Sequence, residues 1–400
     1  MEGGYRDALR SAPVRAIWSA GAVSQLGDYI GQGALLVLAF DRAGGRVLGP
    51  AAVLAAAAVP ALLTGALAGS WLDRIPRARA LAGTQVLGAV VIALPVVLPG
   101  LAIVFLSAAL LGALKAITIA VRSGAMAEAV EDRHRSPLLA LLSTTDQAGQ
   151  VLGYVVGAGL AASVGAAPAL LLDAASFLLG GLILARTAFP PPAPRPARAG
   201  VATGIRDILG NPVLRILAPL VWITATVGSL PEALAAGVAG TDDPWLPFVF
   251  AAAPAGQALT MIVIGRLPQL GRPSVQLIHL AWLSLAFAIA ALGRTPGWFV
   301  LANLLVGSGV AWTIGPQLAF LRLAPPERMA QVTGVMIAVV IAADGIGTPL
   351  FAWLADATSV PSAYRAAGAI VLVSALLGWT FKERTPLAAE LDLAPTRTGA

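Results

Sequence analysis

Three ionisable residues stand in the middle of long apolar runs of this sequence: Asp28, Lys115 and Asp344. In such a setting a charge is costly unless it meets a partner or a watery cavity. Around Asp28 the chain reads Trp18-Ser-Ala-Gly-Ala-Val-Ser-Gln25-Leu-Gly-Asp28-Tyr29-Ile-Gly-Gln32. Gln25, Asp28, Tyr29 and Gln32 therefore form one polar stripe at helical spacing. A carboxyl in that stripe can bind a proton or a cationic group of a bound molecule. The alternatives are a permanent hydrogen bond to a neighbouring helix, or a pair with a lysine. Lys115 shares a helix face with Leu111, Thr118 and Arg122, and is expected either to pair with Asp28 or to attract an anionic group on a ligand. Arg122 itself reads as a boundary residue reaching the lipid headgroups. Asp344 opens the run Asp344-Gly-Ile-Gly347-Thr-Pro349. An acid beside two glycines and a proline predicts a locally irregular helix, whose freed backbone groups must face protein or a water-filled space. Asp344 is a second proton-binding candidate, set against a buried structural hydrogen bond. Glu232, Asp146 and Asp173 are expected nearer the interfaces, where they are more easily satisfied.

Much other chemistry is excluded. The sequence has no cysteine, so disulfides, thiolate metal sites and thiol catalysis are absent, and two histidines argue against a zinc centre. No His-Glu-x-x-His and no phosphate-binding Gly-x-x-x-x-Gly-Lys-Ser/Thr occurs. Asp242 and Asp243 lie beside Pro244 without a second acidic cluster and read as solvated loop charge. Neither an enzyme nor a metal or cofactor site is expected.

The elements that position these residues follow from composition. A chain of 400 residues that is 58% hydrophobic, only 12% charged and has a mean hydropathy of +0.83 must lie mostly in lipid. Spans of about 20 apolar residues are the unit to seek. They fall at about 14–38, 48–70, 79–98, 101–124, 140–163 and 168–187, then at about 213–236, 244–265, 274–293, 298–319, 331–355 and 362–381. The reading is an all-α membrane protein with twelve transmembrane helices in two pseudo-symmetric six-helix bundles. Its parts are an N-terminal half (1–187), a Pro- and Arg-rich linker (188–212), a C-terminal half (213–381) and a tail (382–400). The linker carries Pro190, Pro191, Pro192, Pro194 and Pro196, too many for a span.

The net charge of +6 is explained by its distribution. With the N-terminus cytoplasmic, basic residues divide roughly 21 inside to 4 outside, which supports an even number of spans with both ends cytoplasmic. The basic charge is a topology signal, and a nucleic-acid partner is not expected. The start of the chain, with Arg6 and Arg10 and no apolar core, does not read as a cleavable signal peptide. Sliding the chain on itself by about 195 residues sets Arg77 on Arg272, and a slide of about 194 sets Gly153 on Gly347 and Gln150 on Asp344, a weak internal repeat. Gln150 joins the polar candidates on that ground.

Between the second and third spans lies Gly69-Ser-Trp-Leu-Asp73-Arg74-Ile-Pro76-Arg77-Ala-Arg79. A glycine, an aspartate four residues on and a spaced arginine cluster resemble the cytoplasmic loop signature of the major facilitator superfamily, with Pro76 where that family has glycine. The resemblance implies a secondary transporter of twelve helices, driven by a proton gradient without a cofactor and working as a monomer. It implies that Gly69, Asp73, Arg74, Arg77 and Arg79 form a cytoplasmic gate. It also implies that helices 1, 4, 7 and 10 line a cavity, which would aim Lys115 towards Asp28 and bring in Trp222, Asn303 and Trp312. Gly149, Gly153 and Gly157 resemble the helix 5 signature of proton antiporters of the family, with Tyr154 replacing a proline and Ala158 a glycine; close helix packing explains the same glycines. The Leu26-Gly27-Asp28 start and the Leu172-Asp173-Ala-Ala-Ser-Phe177 run resemble the exporter branch that includes drug and siderophore effluxers. The expectation is proton-coupled efflux of a small amphipathic molecule across a bacterial cytoplasmic membrane. The alternatives are proton-coupled import of a metabolite and a non-transporting membrane scaffold or receptor.

Overall fold

A computed structural model describes residues 9–67, 75–130, 132–189, 201–266, 273–310, 320, 323 and 329–384. Its elements are helices: α1 (Ala12–Arg42), α2 (Leu48–Leu67), α3 (Arg77–Val97), α4 (Leu101–Ala129), α5 (Asp132–Val164), α6 (Ala166–Ala185), α7 (Val201–Gly210), α8 (Pro212–Ala225), α9 (Leu230–Ala239), α10 (Leu246–Arg266), α11 (Pro273–Ala290), α12 (Pro296–Val310), α13 (Met329–Ala357) and α14 (Val360–Arg384). The tight links α3–α4 and α5–α6 turn on Gly100 and Gly165, at φ +111° and +90°. Only glycine adopts those angles without strain.

Among the described residues, seven helical segments are long and apolar enough to cross a bilayer, including Arg77–Val97, Leu101–Met126, Pro212–Ala239 and Val360–Thr380. Two long helices, α1 and α5, are not among them, and these are the ones that carry Gln25, Asp28 and Gln32, and Asp146, Gln147 and Gln150. Polar residues that build a site lower the hydropathy of the helix that carries them. On α6, and on α14 apart from Arg365 and Thr380, the described exposed side chains are apolar, among them Leu171, Leu178, Leu182, Val373, Leu376 and Trp379. Such surfaces suit hydrocarbon and are unfavourable in water. The chain is a multi-pass membrane protein.

The chain divides into two compact units, Met1–Arg195 with Ala233–Ala251, and Pro196–Glu232 with Ala252–Ala400. In the first, α1 packs on α5 and α6, and α3 on α4 and α6. In the second, α8 packs on α13 and α14, and α11 on α12 and α14. The same neighbour scheme thus appears twice, and so do its close contacts. A side chain at Gly112 of α4 would strike the Ala57 carbonyl of α2, and one at Gly307 of α12 would strike the Ala253 carbonyl of α10. Gly153 of α5 lies equally close to Tyr29 and Leu26 of α1, as Gly347 of α13 does to Thr226 of α8. Small residues at these crossings let backbones touch, which is where membrane helices gain packing energy.

Two departures from the sequence reading stand out. The stretch read as linker contains α7, which packs on α13 and α8 and buries Ile208. Ten residues ending in Gly210 are too few to show a span-like signal. The irregular backbone expected at Asp344 is elsewhere: α13 is helical throughout, with Pro349 inside it. The seventh span breaks instead, between Ala225 and Leu230. There Thr226, Val227 and Gly228 donate to the carbonyls three residues back, and Pro231 sits in the first turn of α9, where its missing N–H costs nothing.

Candidate functional site

The first unit holds a half-open cavity of about 300 Å³ lined by α1, α3, α4, α5 and α6. Its polar wall consists of Ser24, Gln25, Asp28 and Tyr29 from α1, Gln85 from α3, Lys115, Thr118 and Arg122 from α4, and Asp146 from α5; Ile17, Gly21, Leu81, Ile119 and Leu184 complete it. Helical spacing explains the α1 contribution, since residues three and four apart share a face. Lys115, Thr118 and Arg122 repeat the pattern on α4.

Within this wall the charges are only partly paired. Asp28 Oδ1 and Gln25 Oε1 are buried and have no hydrogen-bond partner. The Lys115 ammonium lies over the Tyr29 ring, 5.5 Å from its centroid. A cation above an aromatic face gains about 0.5–2 kcal/mol, depending on desolvation. Asp28 and Lys115 line the same cavity and interact through their charges, with the ammonium resting over the Tyr29 ring. Tyr29 is fixed on its other sides: its hydroxyl donates to Asp146 at 3.4 Å, and its ring meets Tyr154 edge-on at 5.5 Å. In the same wall, Ser24 donates to Gln85 Oε1 at 3.2 Å.

Gln32 and Gln150 are half-buried and do not line this cavity. Of the gate motif, Gly69, Asp73 and Arg74 lie outside the described residues; Arg77 is buried at the first turn of α3 and Arg79 is exposed. In the second unit, Asp344 bridges the broken span. Its Oδ1 accepts from the Ser229 N–H at 3.1 Å and the Thr348 hydroxyl at 3.0 Å, and its Oδ2 from the Ser229 hydroxyl at 2.8 Å. Asn303 is in the core, where the Tyr364 hydroxyl donates to its Oδ1 at 3.0 Å, rather than facing a cavity. Trp222 has a buried indole N–H without a partner, and Trp312 lies outside the described residues.

Three further charged residues take part in this packing. Arg122 and Asp146, which the sequence reading sets near the membrane boundaries, line the cavity. Asp173 is 2% exposed, and its carboxyl lies flat against α1. A methyl group at Gly31 would occupy the place of that carboxyl, and one at Gly27 the place of the Ser176 hydroxyl. That hydroxyl lies 2.8 Å from the Asp173 carbonyl and 3.3 Å from its Oδ1. The signal was the Gly27-x-x-x-Gly31 spacing on α1, a notch that requires a partner.

Among the described residues the fold is all-helical and membrane-spanning, and its first unit holds a small half-open cavity with unpaired polar groups. The chain belongs to the Major Facilitator Superfamily, whose sequence profile matches residues 17–239. The chain is 29% identical over 255 residues to the enterobactin exporter EntS of Shigella boydii serotype 18 and to that of Escherichia coli O81, in each case over 60% of this chain. The match spans 59% of the length of those relatives. Among solved structures, the nucleoside transporter NupG is similar with a TM-score of 0.74 at 14% identity, covering 92% of this chain and 99% of that one. A POT family transporter is similar with a TM-score of 0.75 at 12% identity, covering 94% and 96%. At these identities the structural likeness speaks for the fold alone.

Proposed function

We propose that this protein is a proton-coupled exporter of a small amphipathic molecule, working by alternating access in a bacterial cytoplasmic membrane. Its twelve spans form two six-helix halves, with both chain ends in the cytoplasm and the gate cluster Gly69, Asp73, Arg74, Arg77 and Arg79 on the cytoplasmic side. The recurrence of one neighbour scheme in the two units supports the halves. The exporter names of the relatives support the direction.

One observation carries the coupling: Asp28 presents a buried, unpartnered carboxyl oxygen to a cavity that can hold a small molecule. Such an oxygen takes up a proton or a donor from a ligand, and the two compete, which is the elementary requirement of an antiporter. Asp344 is less suited to this task because three donors already occupy its oxygens.

Flux of a panel of fluorescent amphipathic dyes into inside-out vesicles, driven by an imposed pH gradient, tests the reading. Dye uptake by wild type should collapse when the gradient is dissipated and when Asp28→Asn is introduced. Gradient-driven uptake that Asp28→Asn leaves unchanged moves the proton site away from Asp28. Accumulation only in right-side-out vesicles reverses the direction.

A further inference from the structure

We infer that the cavity of the first unit takes a compact zwitterion, its ammonium on Asp28 and Gln25 and its carboxylate on Lys115, with an apolar or aromatic remainder against the rest of the wall. This deepens the transport reading and rests on it only for its physiological meaning, since binding is measured apart from flux.

The unpaired groups set the argument. Asp28 Oδ1 and Gln25 Oε1 lie one turn apart on α1, both buried, both acceptors, both without a donor. A buried acceptor left unpaired has lost its hydration without compensation, so a donor-bearing ligand group gains by arriving there. An ammonium carries three N–H donors and a positive charge, and so answers a carboxylate and a neighbouring amide oxygen together. Lys115 is the converse case. It has three donors and rests over the Tyr29 ring face, in the field of the Asp28 carboxyl. An anionic group displaces little there and gains a charge-assisted hydrogen bond.

Charge balance narrows the class further. The wall holds two acids, Asp28 and Asp146, and two bases, Lys115 and Arg122. A ligand with a single charge would unbalance the charges of a partly buried wall, which costs free energy. A zwitterion leaves the balance intact and pairs each orphan. The size agrees, because about 300 Å³ is at the small end of ligand pockets. Ile17, Leu81, Ile119 and Leu184 offer the remaining surface to an apolar group.

The test uses the full-length protein in nanodiscs and two series of ligands that share a ring and chain and differ only in charge. One is phenylalanine, phenethylamine and 3-phenylpropanoate; the other is tryptophan, tryptamine and indole-3-propanoate. Affinities are read by calorimetry, with the melting temperature of each variant as the control for folding. In at least one series the zwitterion should bind about tenfold or more tightly than either singly charged congener. Asp28→Asn should erase its advantage over the acid, and Lys115→Gln its advantage over the amine. Equal binding of the three, tighter binding of an amine or acid than of the zwitterion, or no binding by either series overturns the proposal. So does an equal loss for all congeners in both variants. The comparison within wild type stands even where a variant fails to fold. Flux of the dye panel without zwitterion preference would reject this inference and leave the transport reading standing.

Discussion

At Asp28 two opposing effects meet: burial removes water from a carboxyl oxygen, and Lys115, resting over the Tyr29 ring, offers a positive charge in the same cavity. The polar stripe that holds Asp28 was legible because Gln25, Asp28 and Tyr29 recur at helical spacing in an apolar run. Asp173 was not, because its partner is a pair of glycines on a helix distant in sequence, and a count from the helix end placed it nearer an interface. A different carboxyl gives a pH test. Asp41, beyond the end of the first span, is exposed and only partly shielded from water; that partial desolvation and neighbouring Asp242 push its carboxyl upward, against the opposing hydrogen bond from Thr241. A folded pKa above the unfolded one means that the fold favours the protonated form. Its contribution to stability is present below the ordinary carboxylate pKa and is lost as pH rises through the raised value. Asp41→Asn carries no such loss, so its melting temperature relative to wild type should be higher at pH 7 than at about pH 4. A difference that is the same at both pH values would contradict this.

The elements gain their positions from close approaches that sequence shows only as scattered glycines. Along α1, Gly27 and Gly31 admit Ser176 and the Asp173 carboxyl of α6. Gly31→Ala would overpack that contact, and a cost of about 1–3 kcal/mol is expected, read as a lowered melting temperature. A neutral Gly31→Ala would mean that α6 can shift away, and that Asp173 is not pinned there. The break between α8 and α9 was illegible for a different reason. Apolarity runs on without interruption from Pro212 to Ala239, so hydropathy sees one span. What breaks it is local: Gly228, Pro231 and a carboxyl from α13 that offers the Ser229 N–H an alternative to a helical carbonyl. Asp344→Asn keeps an oxygen for that N–H, whereas Asp344→Ala leaves it unpaired at about 1–3 kcal/mol. The alanine variant should therefore melt well below the asparagine variant, and equal melting would remove Asp344 from its role at the break.

For the whole molecule, the membrane class and the family were readable from composition and the Gly69–Arg79 loop, and the weak repeat reappears as matched crossings at Gly153 and Gly347. The charged cavity was only half readable. A sequence gives the face of a helix but not its neighbours, so it does not show that Arg122 and Asp146 line one cavity with Asp28, or that Lys115 rests over the Tyr29 ring. The central claim is that Asp28 couples cargo to protons. The most direct measurement encloses the pH dye pyranine in proteoliposomes of purified protein and imposes a gradient of a dye-panel member that moves in vesicles. Wild type should show proton movement opposite to the cargo, and Asp28→Asn should carry cargo down its gradient with no pyranine response. Proton movement of undiminished size in Asp28→Asn would contradict the account.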